Sequence, residues 1–191
     1  MLDILKNKAV FTSIILACVP LTAISNKALT SIVTAIILFL SANLTSFALC
    51  YLKKFLSSKA LHFARFIISA GVVGIFTPLL SIIANAQIDE AGIYISLITI
   101  STALLLSQDT DNINTTKEGF FNTLIISSAA SLLIIVCGFL RELLGFGSLF
   151  GFDLYTKFIS PIGFLTSSAG GLFTLAVLCA VYALIIGKDA K

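Results

Sequence analysis

The stretch C-G-F-L-R-E-L-L-G-F-G-S-L-F-G, Cys137 to Gly151, decides how this chain is read. An apolar run, Leu124 to Leu140, delivers the backbone to adjacent Arg141 and Glu142. Gly145, Gly147 and Gly151 follow, set among Phe146, Leu149, Phe150 and Phe152. An apolar helix that ends in an opposite-charge pair puts both charges at the level of lipid headgroups, with the arginine snorkelling to water. The glycines allow a sharp turn or a close backbone approach. The large apolar side chains hold that turn against the membrane surface. Arg141, Glu142, Gly145 and Gly147 are therefore read as structural residues of a helix end.

Composition agrees with a lipid solvent. Of 191 residues 58% are hydrophobic and only 11% charged, with mean hydropathy +1.09. A soluble domain carries about a quarter charged residues. The N-terminus, M-L-D-I-L-K-N-K and an apolar run, mimics a signal peptide. Cys18-Val19-Pro20 and Leu21-Thr22-Ala23 make a poor cleavage site, so the segment is read as a retained span. The sequence shows no phosphate-binding glycine loop, no Ser-His-Asp set and no zinc spacing. That excludes nucleotide chemistry within the chain and a nucleic-acid partner, and it predicts no catalysis by the chain alone. Mid-membrane carboxylates are also missing, which argues against a carboxylate proton relay.

Six apolar segments stand out, at about residues 9–25, 28–52, 62–86, 91–107, 121–145 and 159–187. A spanning helix needs about 20 apolar residues. The second, third, fifth and sixth meet this; the first and fourth are short. The first holds Cys18-Val19-Pro20, where Pro20 removes a backbone donor. The fourth holds Ser96, Thr99, Ser101 and Thr102, hydroxyls able to rebond a disturbed backbone. Short spans at matching places in two halves point to an inverted repeat. The expected fold is all-α and integral to the membrane: one domain over 1–191, with six transmembrane helices as a 3+3 inverted repeat. Its halves are about 1–86 and 87–191, and its first and fourth helices are short, broken and meet tip to tip.

Charge sets the expected orientation. With the N-terminus inside, nine of twelve basic residues fall in cytoplasmic segments. The positive-inside rule then places both termini in the cytoplasm. The connection Tyr51 to Arg65 alternates bases with Phe55, Leu56, Leu61 and Phe63, an interfacial segment held by anionic lipid. His62 lies there without a second histidine and reads as a wetted side chain. The loop Q-D-T-D-N-I-N-T-T-K-E-G, residues 108–119, misses the spacing of a calcium loop and reads as polar connection. Cys50, Cys137 and Cys179 read as small buried hydrophobes. Ser167-Ser168-Ala169-Gly170-Gly171, with small residues again at Ser127 to Ser131, predicts close helix packing.

The string Gly138 to Gly151 closely resembles the end of the fifth span in the NqrD/RnfE membrane proteins. These are subunits of the sodium-pumping NADH:quinone oxidoreductase and of the Rnf ferredoxin:NAD oxidoreductase. F-L-T-S-S-A-G-G-L-F, Phe164 to Phe173, resembles that family's sixth-span start. The resemblance implies a multi-pass subunit of a bacterial or archaeal cytoplasmic membrane. It also implies an oppositely oriented NqrE/RnfA-like paralogue as partner, beside further subunits carrying flavin and iron–sulfur centres. In the family, two such paralogues share one [2Fe-2S] cluster through a cysteine from each broken span. L-A-C-V-P-L-T-A, Leu16 to Ala23, is an altered version of the first-span motif and puts Cys18 at the cysteine position. In I-S-T-A-L-L-L-S-Q-D, Ile100 to Asp109, Thr102 falls where the second cysteine stands, so one ligand is lost; Asp109 falls near the family's glutamate. The resemblance thus implies a subunit that frames or carries an electron relay coupled to Na⁺ or H⁺ movement. A small solute permease and a cofactor-less structural paralogue stay open as alternatives.

Overall fold

The computed structural model describes residues 8–23, 25, 27–53, 55–83, 92–108, 116–149, 152–153 and 162–189. Six α-helices run in order: α1 Lys8–Thr22, α2 Ala28–Leu52, α3 Ser58–Ile83, α4 Gly92–Leu105, α5 Thr116–Arg141 and α6 Ser168–Asp189. Helix α4 closes in a 3₁₀ turn, Leu106–Gln108. Helix α5 runs on into a π-helical turn, Glu142–Phe146, and a second 3₁₀ turn, Gly163–Thr166, leads into α6. Two short strands, β1 Ser148–Leu149 and β2 Phe152–Asp153, pair antiparallel just after α5. Residues 109–115, and with them the calcium-loop question and Asp109, lie outside the described residues, as do Lys6 near the N-terminus and Lys191 at the C-terminus.

The packing is that of a protein dissolved in lipid. The buried face of α2 is mostly small or hydroxylated: Ala28, Ser31, Thr34, Ala35, Ser41, Ala42, Thr45 and Ser46. Its exposed face is Leu29, Ile36, Leu40, Leu44 and Phe47, spaced at three to seven residues. Water would favour the reverse; lipid rewards small residues that bring backbones together. Two helices, Ala28–Leu52 and Gly119–Phe146, are long and apolar enough to cross a bilayer. The other four offer shorter apolar stretches among the described residues, Val10–Thr22, Ala60–Phe76, Ser96–Leu105 and Ser168–Val181. Four full-length spans were expected. By helix length α3, with 26 residues, and α6, with 22, reach the expected span.

The two long helices form the spine. They run antiparallel and are joined by a seam of hydroxyls. Ser131 donates to Ala35 O at 3.1 Å, Asn43 Nδ2 to Ser127 Oγ at 3.2 Å, and Ser46 and Thr123 share a proton at 2.9 Å. At the far end Gly138 lies so close to Ser31 that an added Cβ would overlap its hydroxyl, at 1.7 Å. The small residues at Ser127 to Ser131 do mediate helix packing, as expected.

Around this spine one core draws on all six helices, with Cys18 and Leu21 of α1, Leu38 of α2, Val73 of α3, Leu105 of α4, Ile134 of α5 and Leu175 of α6. Helices α1 and α4 meet in this core, which takes Ile14 to Leu21 from the one and Ile98 and Leu105 from the other. Each is short and unbroken. Pro20 lies in the last turn of α1, where it leaves Leu16 O without its N–H partner, and the helix ends two residues later instead of breaking mid-span.

Candidate functional site

The site is built around the end of α1. A helix leaves its last carbonyls without partners, and here each is answered. Val19 O accepts from Thr22 Oγ1 at 2.8 Å, Pro20 O from Ala23 N at 3.3 Å, and Leu21 O from Ser25 N at 3.2 Å. Thr22 O accepts from Arg141 Nη1, and so does Ser25 O, at 2.9 Å. The same guanidinium reaches the entrance of α6. Its Nε donates to Leu165 O at 3.0 Å, and Nη2 donates to Thr166 O at 3.2 Å and Ser167 O at 2.8 Å. Among the described residues one side chain thus ties five backbone carbonyls from two chain segments. Arginine's planar fork of five N–H donors is made for such a task; lysine's point charge is not.

Arg141 is therefore not a snorkelling residue. It is 0% exposed, among the largest fully buried side chains. The correction has a physical reason: five carbonyl dipoles, including the negative end of α1, replace the water that a buried guanidinium loses. Glu142 is buried too, at 5% exposed. Its Oε2 accepts from Ala28 N at 2.5 Å, the first turn of α2, where a carboxylate complements the positive helix end. Adjacent residues of α5 thus serve both sides of the α1–α2 turn: the cation closes one helix and the anion opens the next.

The glycines make room. Gly147 takes φ 68°, and its N–H caps α5 on Leu143 O at 3.2 Å. A Cβ on Gly145 would stand 3.1 Å from the Thr166 methyl. Gly170 and Gly171 matter more. A Cβ on Gly170 would meet Phe164 O at 2.3 Å, and one on Gly171 would meet Thr22 O at 2.8 Å and Arg141 Nη1 at 2.9 Å. Ser167 caps α6 by accepting from Gly170 N at 3.2 Å. The small-residue surface was expected to admit another helix, and Gly171 does lie against the end of α1; the surface also admits the guanidinium and the 3₁₀ turn. Thr22, Ser25 and the carbonyls of Leu165 to Ser167 were not singled out from sequence; they contribute backbone, which no side-chain pattern announces.

The two positions expected to hold a cofactor sit elsewhere. Cys18, one turn before Thr22, is 0% exposed, with its thiol 3.8 Å from Ala130 O. Thr102 is also 0% exposed; its hydroxyl donates to Ile98 O at 2.8 Å and meets Ser41 Oγ at 2.9 Å. Both positions lie within this chain's own core. Thr102 offers a hydroxyl where iron–sulfur chemistry asks for a thiolate. Cys137 is buried against Thr174 Oγ1 at 3.1 Å, and Cys50 and Cys179 are partly buried, so all four thiols pack much as small hydrophobes do. Arg65, read as a lipid-facing base, is instead buried at 3% exposed, while His62 is exposed as expected.

Apolar outward faces, polar helix seams and a buried guanidinium clamp define an integral membrane protein. A family model described as "Rnf-Nqr subunit, membrane protein" matches residues 1–181. The chain belongs to this family and is a membrane subunit of the Rnf/Nqr kind, associating with other subunits of such a complex. No curated protein matches the chain.

Proposed function

We propose that this chain frames an electron relay in the membrane part of an Rnf/Nqr-type ion-translocating complex, and that it does so without ligating the cofactor itself. The observation that carries the reading is the match over residues 1–181, joined to the buried surroundings of Cys18 and Thr102. Flavin, iron–sulfur and nucleotide chemistry then belong to partner subunits. The relay is coupled to Na⁺ or H⁺ movement, and the complex sits in a bacterial or archaeal cytoplasmic membrane with both termini of this chain inside.

The proposed architecture is the 3+3 inverted repeat of six spans. Its support is a pattern of neighbours. The pairs α1–α5, α2–α3 and α3–α4 have as counterparts α4–α2, α5–α6 and α6–α1, while α1–α4 and α2–α5 pair across the axis. Exchanging first with fourth, second with fifth and third with sixth leaves this set unchanged, as a two-fold in the membrane plane requires.

The test is co-purification. A tagged chain, extracted in mild detergent, is expected to bring down a polytopic partner of similar size and opposite orientation together with redox-active subunits. A stable monomer that binds a small solute would instead support a permease and overturn this reading.

A further inference from the structure

The connection between α2 and α3 carries a basic and aromatic pattern that the relay does not use. The turn is firmly held. Phe55 N–H donates to Leu52 O at 2.9 Å, Leu56 N–H to the same oxygen at 3.1 Å, and Leu61 N–H to Ser57 O at 3.0 Å. Leu56 turns inward and packs against Leu49, Leu61 and Leu106. Its neighbour Phe55 is thereby held outward, 78% exposed, with its ring centroid 6.4 Å from that of Tyr51. Phe63, in the second turn of α3, is 74% exposed.

These rings continue a larger surface. Phe47 lies one turn before Tyr51 on α2, and Ile67 one turn after Phe63 on α3, and both are exposed. The apolar outer faces of the two helices thus run up to the turn, and the charges sit where those faces end. Lys53 and His62 are exposed, and the same segment of sequence adds Lys54 and Lys59. Arg65 is buried and takes no part. No acidic residue occurs between Asp3 and Asp89. Exposed rings at the edge of a lipid-facing surface, set among cations, match the boundary between acyl chains and phosphates. An acidic soluble partner would meet the charges but would have no use for a surface continuous with the lipid face.

We propose that the turn over residues 51–63 binds the headgroup of an anionic phospholipid, with the phosphate taken by its lysines and the acyl chains laid against Phe55 and Phe63. The site stands independently of the electron-relay reading, because binding is measured on the full chain without partners.

The probe is phosphatidylglycerol against phosphatidylcholine, each added in mixed micelles to the detergent-purified full chain. The thermal midpoint is expected to rise saturably with phosphatidylglycerol and not with phosphatidylcholine. Each lysine near an anionic surface contributes about fivefold in binding. Lys53→Gln, Lys54→Gln and Lys59→Gln together are therefore expected to raise the half-saturating lipid fraction about tenfold or more. A charge-matched control, Lys6→Gln, Lys8→Gln and Lys188→Gln, is expected to keep the wild-type value. Should the first variant fold poorly, native mass spectrometry of the wild-type chain from micelles holding both lipids decides instead: phosphatidylglycerol retained in preference supports the site, and equal retention overturns it. Equal midpoints in the two lipids would overturn the proposal and leave the patch to an acidic protein, or to neutralisation by Asp109, Asp111 and Glu118 further along the chain. An equal shift in both lysine variants would also overturn it, since the lipid would then be reading net charge.

Discussion

Replacing Arg141 with alanine tests the clamp most directly. The substitution removes donors from five carbonyls. Two of them keep another bond: Thr22 O still accepts from Ser25 Oγ at 3.3 Å, and Ser167 O from Gly171 N at 3.2 Å. The carbonyls of Ser25, Leu165 and Thr166 lose the partner that Arg141 supplied. An orphaned buried polar group costs about 1–3 kcal/mol; the Ser25 and Leu165 carbonyls are buried and the Thr166 bond only partly so, which puts the cost at roughly 2–6 kcal/mol before the backbone relaxes. Arg141→Lys keeps the charge and up to three donors, but a point ammonium cannot span two segments at once. It is expected to fall between. The assay is the amount of assembled complex on native gels, read beside electron-transfer activity per assembled complex. Alanine is expected to cut assembly severely and leave activity per complex near wild type. Normal assembly with impaired activity would refute the reasoning and make Arg141 part of the transfer machinery.

Glu142→Ala removes the first-turn acceptor of α2 and is expected to lower stability by about 1–2 kcal/mol, with Glu142→Gln losing less because it can still accept from Ala28 N–H; thermal midpoints in detergent compare them. Gly171→Ala drives a methyl against Thr22 O and the guanidinium and is expected to cost about 1–3 kcal/mol. Gly74→Ala, where nothing lies within 4 Å of the added carbon, is its control in the same melt. Cys18→Ser is expected to leave iron content and visible absorption per assembled complex unchanged; loss of either would mark Cys18 as a ligand after all.

The class of protein was legible at once, because lipid solvent imposes a hydropathy signal that few sequences carry by accident. The number and order of helices followed from the same signal. The packing along Ser127 to Ser131 was legible too, since small residues on an apolar helix have few other uses. Arg141 was found for the right place and the wrong reason. Charge beside an apolar run is ordinarily a membrane boundary, and a sequence does not show that carbonyls from Thr22 and Leu165 converge there. Gly170 and Gly171 signalled close approach but not what approaches. Side chains carry the pattern that can be read; the acceptors here are main-chain oxygens, which every residue has. Arg65 misled in the same way, grouped with nearby lysines although helical spacing places it four residues after buried Leu61.

The adjacency of Arg141 and Glu142 then has a mechanical consequence. Side chains one residue apart on a helix diverge by about 100°, so the pair can reach two different neighbours while their charges cancel over a short distance. One reaches the end of α1 and the entrance of α6, the other the start of α2. Helix α5 is itself fastened to α2 by the hydroxyl seam and by Gly138 against Ser31. The end of α1 therefore cannot shift relative to α2, α5 or α6 without breaking several buried bonds together. At the end of α4 Ser41 holds Thr102, and one turn on Leu106 packs with Leu49 and Leu61. A spectroscopic label near Thr22 is therefore expected to stay still during turnover, and movement there would refute the clamp.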